Sequence, residues 1–377
     1  MTHTGLNYKM SKIIPVYEPV LRGNEIKYVM DCFKDNWISA FGKYNYKFEK
    51  AFAAYCNVKC GISVTSGTAA LHIAVASLKI GKDDEVIIPD FTMIAPAIAA
   101  AYQGAKPVFV DADSKTWTID VKKIEEKITK KTKAIIPVHI YGHPCDMDPI
   151  MRLAEKYNLY VIEDAAEAHG ALYKGKKAGS IGHINAFSLY TNKVITTGEG
   201  GMVVTNDKKL AERAELLRNF FFDKERRYIH EEIGFKYPMT NIQAAIGLAQ
   251  LEHIESIIKR KRDIAHTYNK LLKNIPGITL PHEAKNVRNI YWMYGILFEE
   301  KFGVSRDRVK ELLGKKGIDT RYFFTGMHKQ PPFKTEGDFP ISEELEKKGL
   351  YIPCGLNLTE NQLEFVVQSI KDIYTNQ

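Results

Sequence analysis

The 377-residue sequence contains only five cysteines, Cys32, Cys56, Cys60, Cys145 and Cys354, and no C-x-x-C pair among them. An odd number without paired spacing argues against a disulfide framework and for reduced thiols. Cys56 and Cys60 lack the companion ligands of a zinc site and read as small buried residues. No metal is expected. Long apolar runs are also missing. The most apolar stretch, Val86 to Tyr102, is interrupted by Pro89, Asp90 and Pro96, which excludes a membrane span. Met1 to Lys12 is polar and has no apolar signal-peptide core, so a cytoplasmic protein is expected. There is no dense basic tract of the kind that grips nucleic acid. The net charge of +8 is spread over pairs such as Lys122-Lys123 and Lys130-Lys131, which read as solvated surface. Repeats and low-complexity segments are absent.

What is present is an ordinary globular composition, 45% hydrophobic and 26% charged, in a chain long enough for a large unit and a smaller one. From about residue 60 to 205, apolar β-branched runs alternate with helical patterns. The strand candidates are 61–64, 85–88, 107–110, 134–138, 160–163, 186–189 and 202–205. Helices are expected between many of them, for example over 68–78 and 149–157. Such alternation predicts an α/β fold with a mostly parallel sheet covered on both faces. From Asn241 one long helix is expected to about Asn274, ended by Ile275-Pro276-Gly277. A strand over 291–298 and helices over 306–316 and from Thr359 predict a smaller α+β unit. The division expected is 1–255 and 256–377.

Three segments carry chemistry. In Val64-Thr65-Ser66-Gly67-Thr68-Ala69-Ala70 a strand ends and a helix opens after a glycine turn. A helix N-terminus offers free N–H groups and a positive dipole end, which suits a phosphate. Alone, the segment reads rather as a plain helix cap. In Val161-Ile162-Glu163-Asp164 a buried strand delivers a carboxylate at its C-terminal end, where open α/β sheets bind ligands. Ionised Asp164 needs a cation or strong donors there, and a protonated pyridine nitrogen is such a partner. Alone, it could be a structural acid. In Phe187-Ser188-Leu189-Tyr190-Thr191-Asn192-Lys193, followed by Thr196-Thr197-Gly198-Glu199-Gly200-Gly201, a lysine sits near a strand end in a glycine-rich turn. A desolvated lysine amine becomes a nucleophile, although most lysines are merely solvated. Val203 stands where G-x-G-x-x-G needs its third glycine, which excludes a dinucleotide fingerprint. Together the three segments supply a phosphate cradle, an acid for a ring nitrogen and an amine for an aldehyde, the contacts that pyridoxal 5'-phosphate requires.

Here the chain resembles the DegT/DnrJ/EryC1/StrS sugar aminotransferase family of fold-type-I pyridoxal phosphate enzymes, nearly end to end. The resemblance rests on S-G-T-A-A-L-H at 66–72, E-D-A-A-E-A-H-G at 163–170, and F-S-x-x-x-N-K with T-G-E-G-G-M at 187–202. It implies a seven-stranded, mostly parallel sheet with helices on both faces. It implies that Lys193 carries the cofactor as a Schiff base and that Asp164 pairs with the pyridine nitrogen. Ala166 would lie against the ring and Glu167 would reach its hydroxyl, while Gly67, Thr68 and Ser188 would bind the phosphate. The family is usually a homodimer whose 234–241 loop completes the neighbouring site. The chain departs from the family at Lys236, where asparagine is usual, at Pro238, where arginine is common, and at Met93, where an aromatic covers the ring. Arg321 and His328 stand where the family contacts substrate, but their neighbours differ, as do Gly355-Leu356.

The activity that the resemblance implies is amino transfer from L-glutamate to a keto sugar nucleotide. The acceptor expected is a GDP-4-keto-6-deoxy-mannose-like sugar, for surface polysaccharide, with Trp37, Arg321 and His328 as substrate contacts. Three alternatives stay open at this point: another keto acceptor, such as a small phosphorylated ketone; a cofactor-dependent sugar dehydratase, which Lys193 argues against; and a non-catalytic regulator.

Overall fold

The computed structural model describes residues 13–223, 225–226 and 228–376; the polar opening segment, Met1 to Lys12, lies outside them. Nine strands precede residue 206: β1 (Cys60–Val64), β2 (Glu85–Pro89), β3 (Lys106–Val110), β4 (Thr132–Ile135), β5 (Tyr160–Val161), a small hairpin of β6 (Leu172–Tyr173) and β7 (Lys176–Lys177), β8 (Asn185–Ser188) and β9 (Gly201–Thr205). Apart from the hairpin, these are the seven strands read from the apolar runs. Two ladders, β3-β2-β4-β5 and β1-β9-β8, make up the sheet. Parallel bridges from Asp164 to Val138 on one side and to Ala186 on the other join them. The pairs among β2 to β5 are parallel, and β9 runs antiparallel to both of its neighbours. Seven strands thus form a mostly parallel sheet.

Successive residues of a strand face opposite sides, and the cores divide accordingly. Val86 and Ile88 pack with α3 (Gly67–Ser77) and α4 (Ala95–Tyr102), while Ile87 packs with Ile150 and Ala154 of α5 (Met147–Tyr157), counting α1 (Glu25–Lys34) and α2 (Lys43–Cys56) as the first two helices. On β9, Val203 belongs to the first group, and Met202 and Val204 face Phe48 and Phe52 of α2. The strands are apolar on both faces because both faces are covered. Next come α6 (Lys208–Arg218), capped by Asp207, and α7 (Asn241–Leu251), which opens on a Thr240/Gln243 capping box.

The single helix expected over 241–274 is two, α7 and α8 (Ile254–Leu272). Neither glycine nor proline marks the break. Instead the Glu252 carboxylate accepts from Tyr28 Oη at 2.6 Å and Asn24 Nδ2 at 2.7 Å, and the His253 ring lies against Gly23. The start of α1 packs against the residues at this break. The remaining strands are β10 (Ile278–Thr279), β11 (Val287–Arg288, which pairs with β6), β12 (Tyr294–Phe298), β13 (Arg321–Tyr322) and β14 (Gly349–Ile352). The strand expected over 291–298 starts late, because Tyr291 is left-handed (φ 50°). β10, β12, β14 and β13 form an antiparallel sheet beside α9 (Arg306–Lys315), α10 (Pro340–Lys348) and α11 (Glu360–Thr375), the last capped by Thr359. The chain's first described residues lace into this part: Ile14 N–H donates to Gly317 O and Cys354 N–H donates to Val16 O, both at 2.9 Å. Among the described residues no helix is long and apolar enough to cross a membrane.

Candidate active site

A cavity of about 350 Å³ opens at the C-terminal ends of the parallel strands. Its lining includes Gly67, Thr68, Met93, Asp164, Ala166, Glu167, Ser188 and Lys193. One wall is the start of α3. Ser66 is extended and its hydroxyl accepts the Ala69 N–H at 3.0 Å, so the cap is closed by the chain itself and the helix end faces the cavity. A Cβ on Gly67 would stand 2.6 Å from Ser188 Cβ, and one on Gly201 would stand 2.2 Å from Ser66 O. Glycine at both positions lets helix and strand end meet at backbone distance.

Asp164 follows β5. Its Oδ1 accepts the Ala166 N–H at 3.0 Å, and among the described residues no donor reaches its other oxygen. Burial pushes its pKa up, against the Ala166 N–H and the Lys193 and His139 charges. Glu167 holds the Tyr141 N–H at 2.8 Å through Oε2, and its Oε1 lies 3.6 Å from Lys193 Nζ. Burial raises its pKa to about 7, although Lys193 pulls the other way. The same burial lowers the pKa of Lys193, opposed by Glu167 and Asp164. Desolvation outweighs the ion pair on both partners and drives each toward its neutral form. Burial thus favours the neutral, nucleophilic form of the amine, and a carboxylate lies beside it.

The turn that carries Lys193 is fixed at its carbonyls. Tyr17 Oη donates to Lys193 O at 2.8 Å, and Trp292 Nε1 donates to Asn192 O at 2.6 Å. Two polar atoms buried beside the cavity have no partner among the described residues, Thr92 Oγ1 and Asn192 Oδ1. A buried orphan of this kind calls for a ligand or a water. His169, behind Phe187, is held neutral because burial lowers its pKa to about 3.

Four of the residues singled out from the sequence lie away from this lining. Lys236 is exposed, with Nζ 3.2 Å from Asn219 Oδ1. Trp37 is half exposed and donates to Ala40 O. Arg321 is exposed and pairs with Asp319. His328 is buried, with Nδ1 2.8 Å from Asp90 Oδ2 and Nε2 3.3 Å from Glu343 Oε1, so both ring nitrogens are engaged within the fold. In turn, the sequence reading gave no site role to Tyr17, Thr92, Tyr190, Trp292 or Phe324. Trp292 and Phe324 come from beyond residue 256 and look like ordinary core residues in the sequence. Asn192 lies inside the quoted lysine motif, and its place in that motif was the available signal.

The model of the DegT/DnrJ/EryC1/StrS aminotransferase family matches residues 19–371. GDP-perosamine synthase of Caulobacter vibrioides is 46% identical over 96% of this chain and 98% of its own. Among solved structures, S. venezuelae DesV in complex with ketimine intermediate is 34% identical, covers 93% of this chain and 94% of its own, and superposes with a TM-score of 0.88. Helicobacter pylori PseC, an aminotransferase involved in the biosynthesis of pseudoaminic acid, is 26% identical over 97% of this chain and all of its own, with a TM-score of 0.92. The chain belongs to the DegT/DnrJ/EryC1/StrS aminotransferase family.

Proposed function

We propose that this aminotransferase binds pyridoxal 5'-phosphate in the cavity, with Lys193 as its covalent carrier, and moves an amino group from L-glutamate to a keto sugar nucleotide of the GDP-4-keto-6-deoxy-mannose type. The observation that carries the reading is the convergence of the Lys193 amine, the unpartnered Asp164 oxygen and the open end of α3 on one cavity. The residues fit the cofactor. Gly67 leaves a cradle that a Cβ would fill, and an anion there meets free N–H groups and the helix dipole. The similarity to GDP-perosamine synthase over almost the whole chain supports the acceptor class.

When bound, the cofactor supplies an electron sink that makes the donor's α-hydrogen acidic. Gly67, Thr68 and Ser188 hold its phosphate. Asp164 keeps its ring nitrogen protonated, and Glu167 meets its hydroxyl. Ala166 and Met93 line the space for its ring. Lys193 would hold the cofactor, and its Nζ, once free, would be the base that takes up and returns the donor's α-proton. The keto acceptor runs these steps backward. Trp37 and Arg321 serve as acceptor contacts, and His328 fixes the segment that follows Arg321 through Asp90 and Glu343. On the same reading, residues 1–255 hold the cofactor and residues 256–377 form the smaller unit beside it.

A second copy of the chain belongs to the proposal. Ile26, Met30 and Phe33 leave α1 with an exposed apolar stripe that a homodimer would cover. Lys236, which does not line its own cavity, serves the neighbouring copy's phosphate as a cation. The five free thiols suit a reducing, cytoplasmic setting.

The test is a panel of keto sugar nucleotides and small keto phosphates added to the pyridoxamine-loaded enzyme. Return of the visible band with GDP-linked 4-keto-6-deoxy sugars is the expected result. Return with small keto phosphates alone overturns the acceptor. Lys236→Ala should weaken cofactor binding in a protein that remains dimeric by light scattering, and an unchanged affinity would remove Lys236 from the site.

A further inference from the structure

On the proposed function, Lys193 is a free amine for part of each catalytic cycle. Its Nζ lies 3.8 Å from the centre of the Trp292 ring on one side and 3.6 Å from Glu167 Oε1 on the other. Trp292 is buried, and its N–H holds Asn192 O, the carbonyl next to the one that Tyr17 holds. One turn of backbone sets both flanks of the amine. Tyr141 gives its N–H to Glu167, and a Cβ on the following Gly142 (φ 99°) would stand 2.9 Å from Trp292 N. The segment bearing the indole is seated on Gly142, next in the chain to the residue that anchors the carboxylate.

We infer that Trp292 is the positioning residue that parks the Lys193 amine whenever that amine is not bonded to the cofactor. The inference rests on Lys193 being the cofactor's carrier. A free ammonium in a dry site needs a counter-surface. A second carboxylate would hold it as a tight ion pair and take up its proton. An indole face attracts the cation without accepting a proton, and indole is the best of the aromatic faces for this. Lys193 can then exist as ammonium or amine at one location, within reach of Glu167, rather than swinging into the space the substrate occupies. The indole's second contact, its N–H on Asn192 O, keeps the lysine's own backbone in register with the face that receives its side chain.

The apoproteins of the wild type, Trp292→Leu and Trp292→Phe are mixed with pyridoxal 5'-phosphate across a pH series, and the growth of the visible band is followed. Its absence in Lys193→Ala assigns the band to Lys193. The neutral amine is the reactive form, so the rate against pH reads the amine's titration midpoint. Leu keeps the site apolar but removes the π face, and the midpoint falls by about one pH unit. Phe keeps a face and restores most of the shift. A packing role alone would lower the melting temperature and leave the titration in place. If the Leu protein fails to fold, Trp292→Met carries the same expectation. Wild-type titration in the Leu or Met protein overturns the inference and leaves the role of Lys193 standing. A band that develops equally in Lys193→Ala overturns the role of Lys193, and the inference falls with it.

Discussion

Gly67→Ala perturbs the cradle by one methyl group. The added Cβ would stand 2.6 Å from Ser188 Cβ and 3.1 Å from Ser188 Cα. Ordinary carbon contacts lie at about 3.5–4.0 Å, so the deficit is close to 1 Å. Neither of those atoms can rotate away, because both are fixed by the backbone of β8. The start of α3 must therefore retreat from the strand end. Overpacking of this kind costs about 1–3 kcal/mol of stability. Its effect on the site is more specific. An N–H at about 2.9 Å from a phosphate oxygen, moved out by nearly 1 Å, no longer makes a hydrogen bond. Losing one bond to a charged group costs about 1.5–3 kcal/mol, or roughly 10- to 150-fold in cofactor Kd. Titration of the apoprotein with pyridoxal 5'-phosphate, followed by absorbance beside a thermal melt, measures both effects. Gly314→Ala is the matched control. It lies in α9, exposed, with nothing within 4 Å of the added Cβ. It should gain about 0.5–1 kcal/mol and leave cofactor binding alone. A Gly67→Ala protein that binds the cofactor within twofold of the wild type would refute the cradle.

Lys193→Ala should lose the visible band, and Asp164→Asn should lower the rate by roughly 10²–10⁴-fold without abolishing binding, both read by absorbance and single-turnover kinetics. Asp111 holds the first turn of α10, accepting from Ser342 N at 2.9 Å and Ser342 Oγ at 2.8 Å; Asp111→Ala should cost about 2–4 kcal/mol in urea denaturation, and a loss under 1 kcal/mol would deny it that role. Burial depresses the pKa of His72, which sits between Gln103 and Tyr237, to about 4. Its neutral form therefore contributes stability that is complete above its ordinary value near 6.5 and is lost as pH falls through 4. His72→Phe should reduce the slope of stability against pH between 6 and 4.5 by up to one proton, about 1.4 kcal/mol per pH unit, and parallel slopes for the two proteins would count against it.

What could be read in the sequence was local. The seven strands announce themselves as β-branched runs, because a strand covered on both faces has no polar side to interrupt it. Asp164 and Lys193 stand at the ends of such runs, and Gly67 at the start of a capped helix, so short motifs reveal them. The break between α7 and α8 was hidden, because it comes from α1 packing across residues more than 220 positions away in sequence. Trp292 was hidden for a related reason. Its neighbours Ile290, Tyr291 and Met293 are buried core residues, and only the tertiary fold brings its ring to Lys193. The placing of His328 shows the reverse. His328 stands where the family pattern implies a substrate contact, while Asp90 and Glu343, which engage it in the fold, arrive from distant elements.

The lacing of residues 14–17 has a consequence for biosynthesis. Tyr17 emerges from the ribosome early and holds Lys193, yet its own strand is secured by Gly317 and Cys354, which are made late. At about 5–20 residues per second, the wait between Lys193 and Cys354 is on the order of ten to thirty seconds. Until Trp292 is made, the lysine's turn lacks both its indole face and a secured tyrosine anchor. The contacts that fix the lysine's turn are therefore complete only when the last quarter of the chain appears. A ribosome that stalls before residue 354 leaves behind a protein with most of its sheet and an unfinished centre.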